Sequence, residues 1–175
     1  MIMSPFITAS LTIRTYGDPI LQKKTKLVTD LAAVKDLIPA MFQLMYAEPG
    51  IGLAANQVGV SLRLTVIDIP DEGRSRPMVL VNPKMEEKKG RVKASEGCLS
   101  LPGISADVVR SASVRVSALN EHGFPIVIQA EGLLARCLQH ELDHLDGILL
   151  VDRLSLLERM KVLLEIRKRK KAGTW

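Results

Sequence analysis

Glu131-Gly132-Leu133-Leu134-Ala135-Arg136-Cys137-Leu138-Gln139-His140-Glu141-Leu142-Asp143-His144-Leu145 is the stretch from which the rest of the chain is placed. Leu134, Leu138, Glu141 and Leu145 recur at three- and four-residue steps, so the spacing predicts a helix with one face on a core. Gly147 follows as a helix stop. Within the helix, His140-Glu141-Leu142-Asp143-His144 sets two histidines one turn apart on the same face. Two imidazoles so placed reach a single cation, at about 2.0–2.1 Å if it is zinc. Glu141 is turned ~100° from His140, so its carboxylate flanks the cation and suits a base acting on water there. The plain alternative is a surface helix whose histidines share no role.

Outward from this helix the pattern changes. Ser113-Val114-Arg115-Val116-Ser117-Ala118-Leu119 alternates polar and apolar, as a half-buried strand does. Asn120-Glu121-His122-Gly123 supplies a turn, and Pro125 to Gln129 the return strand of a hairpin. His122 reads as an exposed turn residue, outside any metal site. Beyond the helix, Ser155 caps a last helix from Leu156 to about Lys170. Toward the N-terminus, Thr29-Asp30 precedes an apolar-periodic run from Leu31 to Tyr46. Pro39 inside it predicts a kinked or late-starting helix. Leu62 to Ile69 reads as a strand stopped by Pro70, and Met78 to Val81 as a short strand ended by Asn82-Pro83.

Strands and helices do not alternate as βαβ units, so the expected fold class is α+β. The expectation is a single compact domain with antiparallel or mixed sheets around a central metal-binding helix, and a C-terminal helix. Residues 1–154 would form the catalytic part. Residues 155–175 would be a basic helix and tail belonging to the same domain.

Composition limits the remaining classes. Of 175 residues 47% are apolar, which excludes wholesale disorder, and only 3% are aromatic, so Ile, Leu and Val must build the core. The net charge of +5 is carried by residues 155–175, where seven basic residues meet two acids. The rest of the chain is neutral, so the overall charge is no argument for a basic domain surface. The first 13 residues hold no Lys or Arg, and no window approaches the ~18 apolar residues of a membrane span. With two cysteines and no signal sequence, reduced thiols and a cytoplasmic location without membrane attachment are expected.

A hydrolytic metal site needs a third protein ligand. Cys137 lies on the same helix but about 10 Å along its axis from His144, too far for a short side chain; it reads as a small buried hydrophobe. Cys98, in Glu96-Gly97-Cys98-Leu99-Ser100, sits in a loop or strand end that can oppose the histidines. Gly97 allows close backbone approach there. Cys98 is the better third ligand. Upstream, Gly50-Ile51-Gly52-Leu53-Ala54-Ala55-Asn56-Gln57 lacks the context of a nucleotide loop. Its small residues suit a peptide backbone lying against it, and Gln57 suits an oxyanion donor.

In that order and at those separations, the segments ending in Gln57, around Cys98, and from Gln139 to His144 resemble the three motifs of peptide deformylases. The resemblance runs from Arg14-Thr15-Tyr16-Gly17-Asp18-Pro19 to Asp152-Arg153-Leu154-Ser155. It implies metal-dependent hydrolysis of the N-formyl group of N-formylmethionyl nascent polypeptides, releasing formate. It implies a metal held by Cys98, His140 and His144, commonly Fe(2+), with Zn(2+), Ni(2+) or Co(2+) also able to bind. Glu141 would move protons, and Gln57 and the N–H of Leu99 would polarise the formyl oxygen. Ile51, Gly52, Gly97, Leu133, Cys137 and His140 would receive substrate, with Arg136 at the pocket mouth.

Asn56 stands where many members have proline, which should loosen the loop. Ser105 stands where some have arginine. Arg110 and Glu96 match an internal ion pair. The resemblance also suggests that the basic helix docks on the ribosome. Truncation after Ser155 should then abolish a salt-sensitive association and leave small-peptide turnover. The competing readings are a metallopeptidase cutting internal bonds and a binding protein with a structural metal.

Overall fold

The computed structural model describes residues 11–175; the signal-sequence reading falls largely on residues 1–10, outside the described part. Among the described residues seven strands appear in chain order: β1 Gly52–Ala54, β2 Leu64–Asp68, β3 Pro77–Lys89, β4 Val92–Gly97, β5 Ser105–Arg110, β6 Ser113–Leu119 and β7 Pro125–Glu131. Three α-helices accompany them: α1 Leu37–Ala47, α2 Gly132–Leu145 and α3 Leu156–Ala172. One sheet has the order β1-β2-β3-β6-β7 and the second is the β4-β5 pair, every named pairing being antiparallel. The class is α+β.

Local chemistry explains most boundaries. α1 begins late, at Leu37, so Pro39 falls in the first turn, where its missing N–H breaks no helical bond. Leu37, Met41 and Met45 recur every four residues and are its buried face. Asn120 Oδ1 accepts from the N–H groups of His122 and Phe124 and closes the β6–β7 hairpin, leaving His122 exposed. Ser155 accepts from the Glu158 N–H at 3.3 Å to start α3.

Asn82-Pro83 does not end a strand. β3 runs through it for 13 residues, and its register with β6 shifts between Val81 and Lys84. Asn82 adopts φ 53°, and its side chain bonds both the N–H and the C=O of Val28. The Pro83 carbonyl accepts from Arg63 Nε at 2.9 Å. The proline therefore sits in a bulge, where no ladder N–H is required of it. β5 also goes beyond the sequence reading; it pairs fully with β4, Gly97 facing Ser105 at the end that leads to Cys98.

Three apolar clusters hold these layers. Met41, Met45, Leu53 and Val66 lie between α1 and the sheet. Ile67, Leu80, Val116, Leu138 and Leu142 join the sheet to α2. Leu21, Leu101, Ile104, Val108, Leu150 and Ile166 form the third, and Ile166 belongs to α3. Truncation after Ser155 removes Ile166 from that cluster, so a loss of stability is expected beside any loss of ribosome association. α2 is enclosed: from Ala135 to Leu145 every residue is buried except the half-buried His140. Among the described residues no helix is long and apolar enough to cross a membrane.

Candidate metal centre

Two elements from different parts of the chain meet at the centre. α2 brings His140 and His144, whose Nε2 atoms lie 3.2 Å apart. The turn after β4 brings Cys98, with Sγ 3.1 Å from His144 Nε2, and its carbonyl is held by the Leu101 N–H at 2.8 Å. The three donor atoms lie within 4.8 Å of one another. In a tetrahedral site with bonds of about 2.0–2.3 Å, ligand atoms stand roughly 3.3–3.8 Å apart, so the separations of His144 from Cys98 and from His140 need only a slight opening to hold an ion. One soft sulfur and two imidazoles suit several first-row metals.

Electrostatics favours a cation there. Burial raises the Cys98 thiol, but the neighbouring His144 and His140 outweigh it and hold it well below the ordinary thiol range. Burial lowers His140, yet Cys98 and Glu96 push it well above the usual imidazole value. The sulfur's proton affinity is thus lowered where the two imidazoles meet it. Cys137 is the opposite: burial and the adjacent Glu141 push its thiol well up, and Sγ lies 3.8 Å from the Ile51 carbonyl, outside the donor set.

Behind His140 runs a chain of buried charge. His140 Nδ1 lies 3.1 Å from Glu96 Oε2, which orients the ring. Arg110 grips Glu96 with two bonds of 2.9 Å, forming the internal ion pair read from the sequence. That pair is one link only: Arg110 also bonds Asp143, and Asp143 bonds Arg153. Burial raises Glu96, but its bonds to His140 and Arg110 prevail and hold it at about 2. Asp143 and Arg153 escaped the sequence reading, although Asp143 is a middle residue of the histidine motif. Arg136 borders the cleft, but its guanidinium is turned to Glu96 and to the carbonyls of Val92, Ala94 and Val108.

The segment after β1 turns into a short 3-10 helix, Ala55–Val58. Gln57 is buried there, and its Oε1 accepts from the Ala54 N–H at 2.9 Å. That fixes the amide with Nε2 toward Ser100 Oγ at 3.2 Å and Cys98 Sγ at 3.8 Å. Asn56 does not loosen the segment. Its Nδ2 donates to the His144 carbonyl at 2.6 Å and ties the loop to the end of α2.

A cleft of about 850 Å³ opens over the centre. Ile51, Gly52, Gly97, Leu133, Arg136 and Cys137 border it, with Gln57, Cys98, Leu99, His140 and Glu141. Glu141 is 3% exposed, burial pushes its carboxyl up, and Oε2 has no hydrogen-bond partner among the described residues. A buried carboxylate oxygen left unpaired at a cleft is a ready proton acceptor. Gly52 makes room for it: a Cβ there would lie 2.5 Å from Glu141 Oε1 and 2.8 Å from Cys137 Sγ. Gly52→Ala is therefore expected to displace Glu141 and lower kcat/KM by about 10²-fold while metal content stays unchanged; steady-state kinetics with metal analysis checks this.

Known proteins resemble this chain over most of its length. The model of the polypeptide deformylase family matches residues 10–160. A peptide deformylase of Acidobacterium capsulatum is 46% identical over 162 residues, covering 91% of this chain and 95% of its own. One from Aquifex aeolicus is 47% identical over 162 residues, covering 87% and 96%. The crystal structure of a peptide deformylase from Legionella pneumophila superposes with a TM-score of 0.87 at 45% identity, covering 94% of this chain and 98% of that one.

Proposed function

This chain belongs to the polypeptide deformylase family, and from that premise we propose how its residues divide the reaction among themselves. It is a metal-dependent hydrolase of a linear amide, removing the formyl group from N-formylmethionyl nascent polypeptides and releasing formate. The observation that supports the division of roles is the convergence of Cys98, His140 and His144 beside the unpaired Glu141 carboxylate on one cleft.

Cys98, His140 and His144 hold one divalent ion, Fe(2+) as the native metal, with Zn(2+), Ni(2+) or Co(2+) able to replace it. When bound, the ion acidifies water and polarises the formyl oxygen. Glu141 Oε2 takes the proton as water adds to the formyl carbon and gives it back to the amine as it departs. The side-chain amide of Gln57 and the N–H of Leu99 donate to the oxygen that becomes negative. The methionine side chain lies among Ile51, Leu133, Cys137 and His140, with Gly52 and Gly97 admitting the peptide backbone. Arg136 secures the wall between β4 and α2.

The deciding assay compares formyl-Met-Ala-Ser with its acetyl counterpart and with an internal-bond substrate. Formate from the first alone is expected; cleavage of an internal bond would favour the peptidase reading. Metal analysis of anaerobically purified protein, paired with that activity, identifies the native ion.

Delivery is a separate matter. Lys161, Arg167, Lys168 and Lys171 are exposed on α3, and we place the enzyme in the cytoplasm, with this basic face meeting ribosomal RNA. Combined Arg167→Glu, Lys168→Glu and Lys171→Glu should abolish a salt-sensitive co-sedimentation with ribosomes and spare small-peptide turnover. Undiminished co-sedimentation would remove the docking proposal.

A further inference from the structure

Arg169, near the end of α3, reaches the rim of the cleft. Its Nε donates to Glu165 Oε1 at 2.9 Å and its Nη1 to the Pro102 carbonyl at 3.1 Å. Pro102 and Gly103 are the middle of a four-residue turn closed by the Ile104 N–H on the Leu101 carbonyl at 3.0 Å, and Gly103 has φ 66°. Proline followed by a glycine with positive φ marks a type II turn. Type I and type II turns share their ends and differ by a flip of the middle peptide, here the one joining Pro102 to Gly103. Arg169 holds the oxygen of that peptide. The guanidinium also lies so close that a Cβ on Gly103 would be 2.5 Å from Nη1, so a side chain there would have to push it away.

This turn is part of the site. Pro102, Gly103, Ile104 and Ser105 border the cleft, and Ser105 begins β5 opposite Gly97. Lys170, the next residue, donates to the Tyr16 carbonyl at 2.7 Å, and the Tyr16 N–H bonds the Ser100 carbonyl at 2.9 Å. Two successive cations of α3 thus brace the segment from Cys98 to Ser105. The methionine pocket is built from Ile51 and from α2, so this rim is left to the peptide residues that follow.

We infer that Arg169 is a positioning residue for the substrate cleft: by holding the Pro102 carbonyl it selects the type II form of the rim turn, and with it the wall met by residues beyond formylmethionine. The inference rests on the deformylase reading. In zinc-loaded enzyme, Arg169→Ala should raise KM for formyl-Met-Ala-Ser roughly threefold to tenfold and keep kcat within about twofold. KM for formyl-Met-Ala should change less, and Arg169→Lys should recover part of the loss. Glu165→Ala, which frees the guanidinium, should act in the same direction more weakly. The amide ¹⁵N resonance of Gly103 should move in Arg169→Ala.

Equal effects on both substrates, or kcat and KM worsening together with a lower Tm, would overturn the inference. An unmoved Gly103 resonance would do so whether or not the enzyme turns over. Absence of formate from wild-type enzyme would instead sink the deformylase reading.

Discussion

Glu141→Gln is expected to lower kcat by about 10³–10⁴-fold, at the upper end of what one general acid–base group contributes. The upper end applies because the same carboxyl is used twice, first as acceptor and then as donor. Glutamine keeps the shape that Gly52 accommodates beside Cys137 and removes the basicity. Cys98, His140 and His144 are untouched, so metal content should equal that of the wild type. Formate release and metal content are measured on the same sample. Retained metal with undiminished turnover would take Glu141 out of the mechanism. Loss of metal alongside loss of turnover would mean instead that Glu141 helps to hold the ion.

The second large effect is at the cysteines. Cys98→Ser replaces a soft sulfur, whose proton affinity the two histidines lower, with a hydroxyl that ionises far less readily. Metal affinity should fall by more than the roughly 10- to 100-fold typical of losing an outer partner, and turnover should fall with it. Cys137→Ser should keep its metal, because that side chain faces the Ile51 carbonyl. Chelation gives an independent readout. A ligand that binds only the folded state stabilises it by mass action. Stripping the ion should therefore lower the Tm of wild type and of Cys137→Ser, and leave Cys98→Ser almost unchanged. Metal loss from the Cys137 variant, with retention by the Cys98 variant, would reverse the ligand assignment.

The parts legible in the sequence were those written in local spacing. His140 and His144 announce their shared face by number alone, Ser155 its cap, Asn120 to Gly123 their turn. What escaped depends on partners distant in the chain. Asn82-Pro83 reads as a stop because its local chemistry is that of a turn; only Val28 and Arg63, both far upstream, convert it into a bulge that carries the strand on. Asn56 looks like a loosened proline position until the His144 carbonyl is beside it. The resemblance puts Arg136 at the pocket mouth and it does border the cleft, but only the structure shows the buried Glu96 and three strand carbonyls that draw its charge inward. Arg169 is lost among basic neighbours, and nothing local separates it from Arg167 or Lys168. Its contact with the Pro102 carbonyl spans 67 residues.

The enclosure of α2 limits how this chain can change over time. Successive side chains look onto different surroundings: Arg136 and Asp143 onto opposite charges, Cys137 and Glu141 onto the cleft, Leu138 and Leu142 onto the sheet, Gln139 onto the backbone of Ser111. An ordinary amphipathic helix offers an outer face on which neutral drift can accumulate. Between Ala135 and Leu145 no such face exists, so no position there is free to drift. Innovation in this protein is displaced to the sheet surface and to the outer face of α3, where a new side chain meets water first.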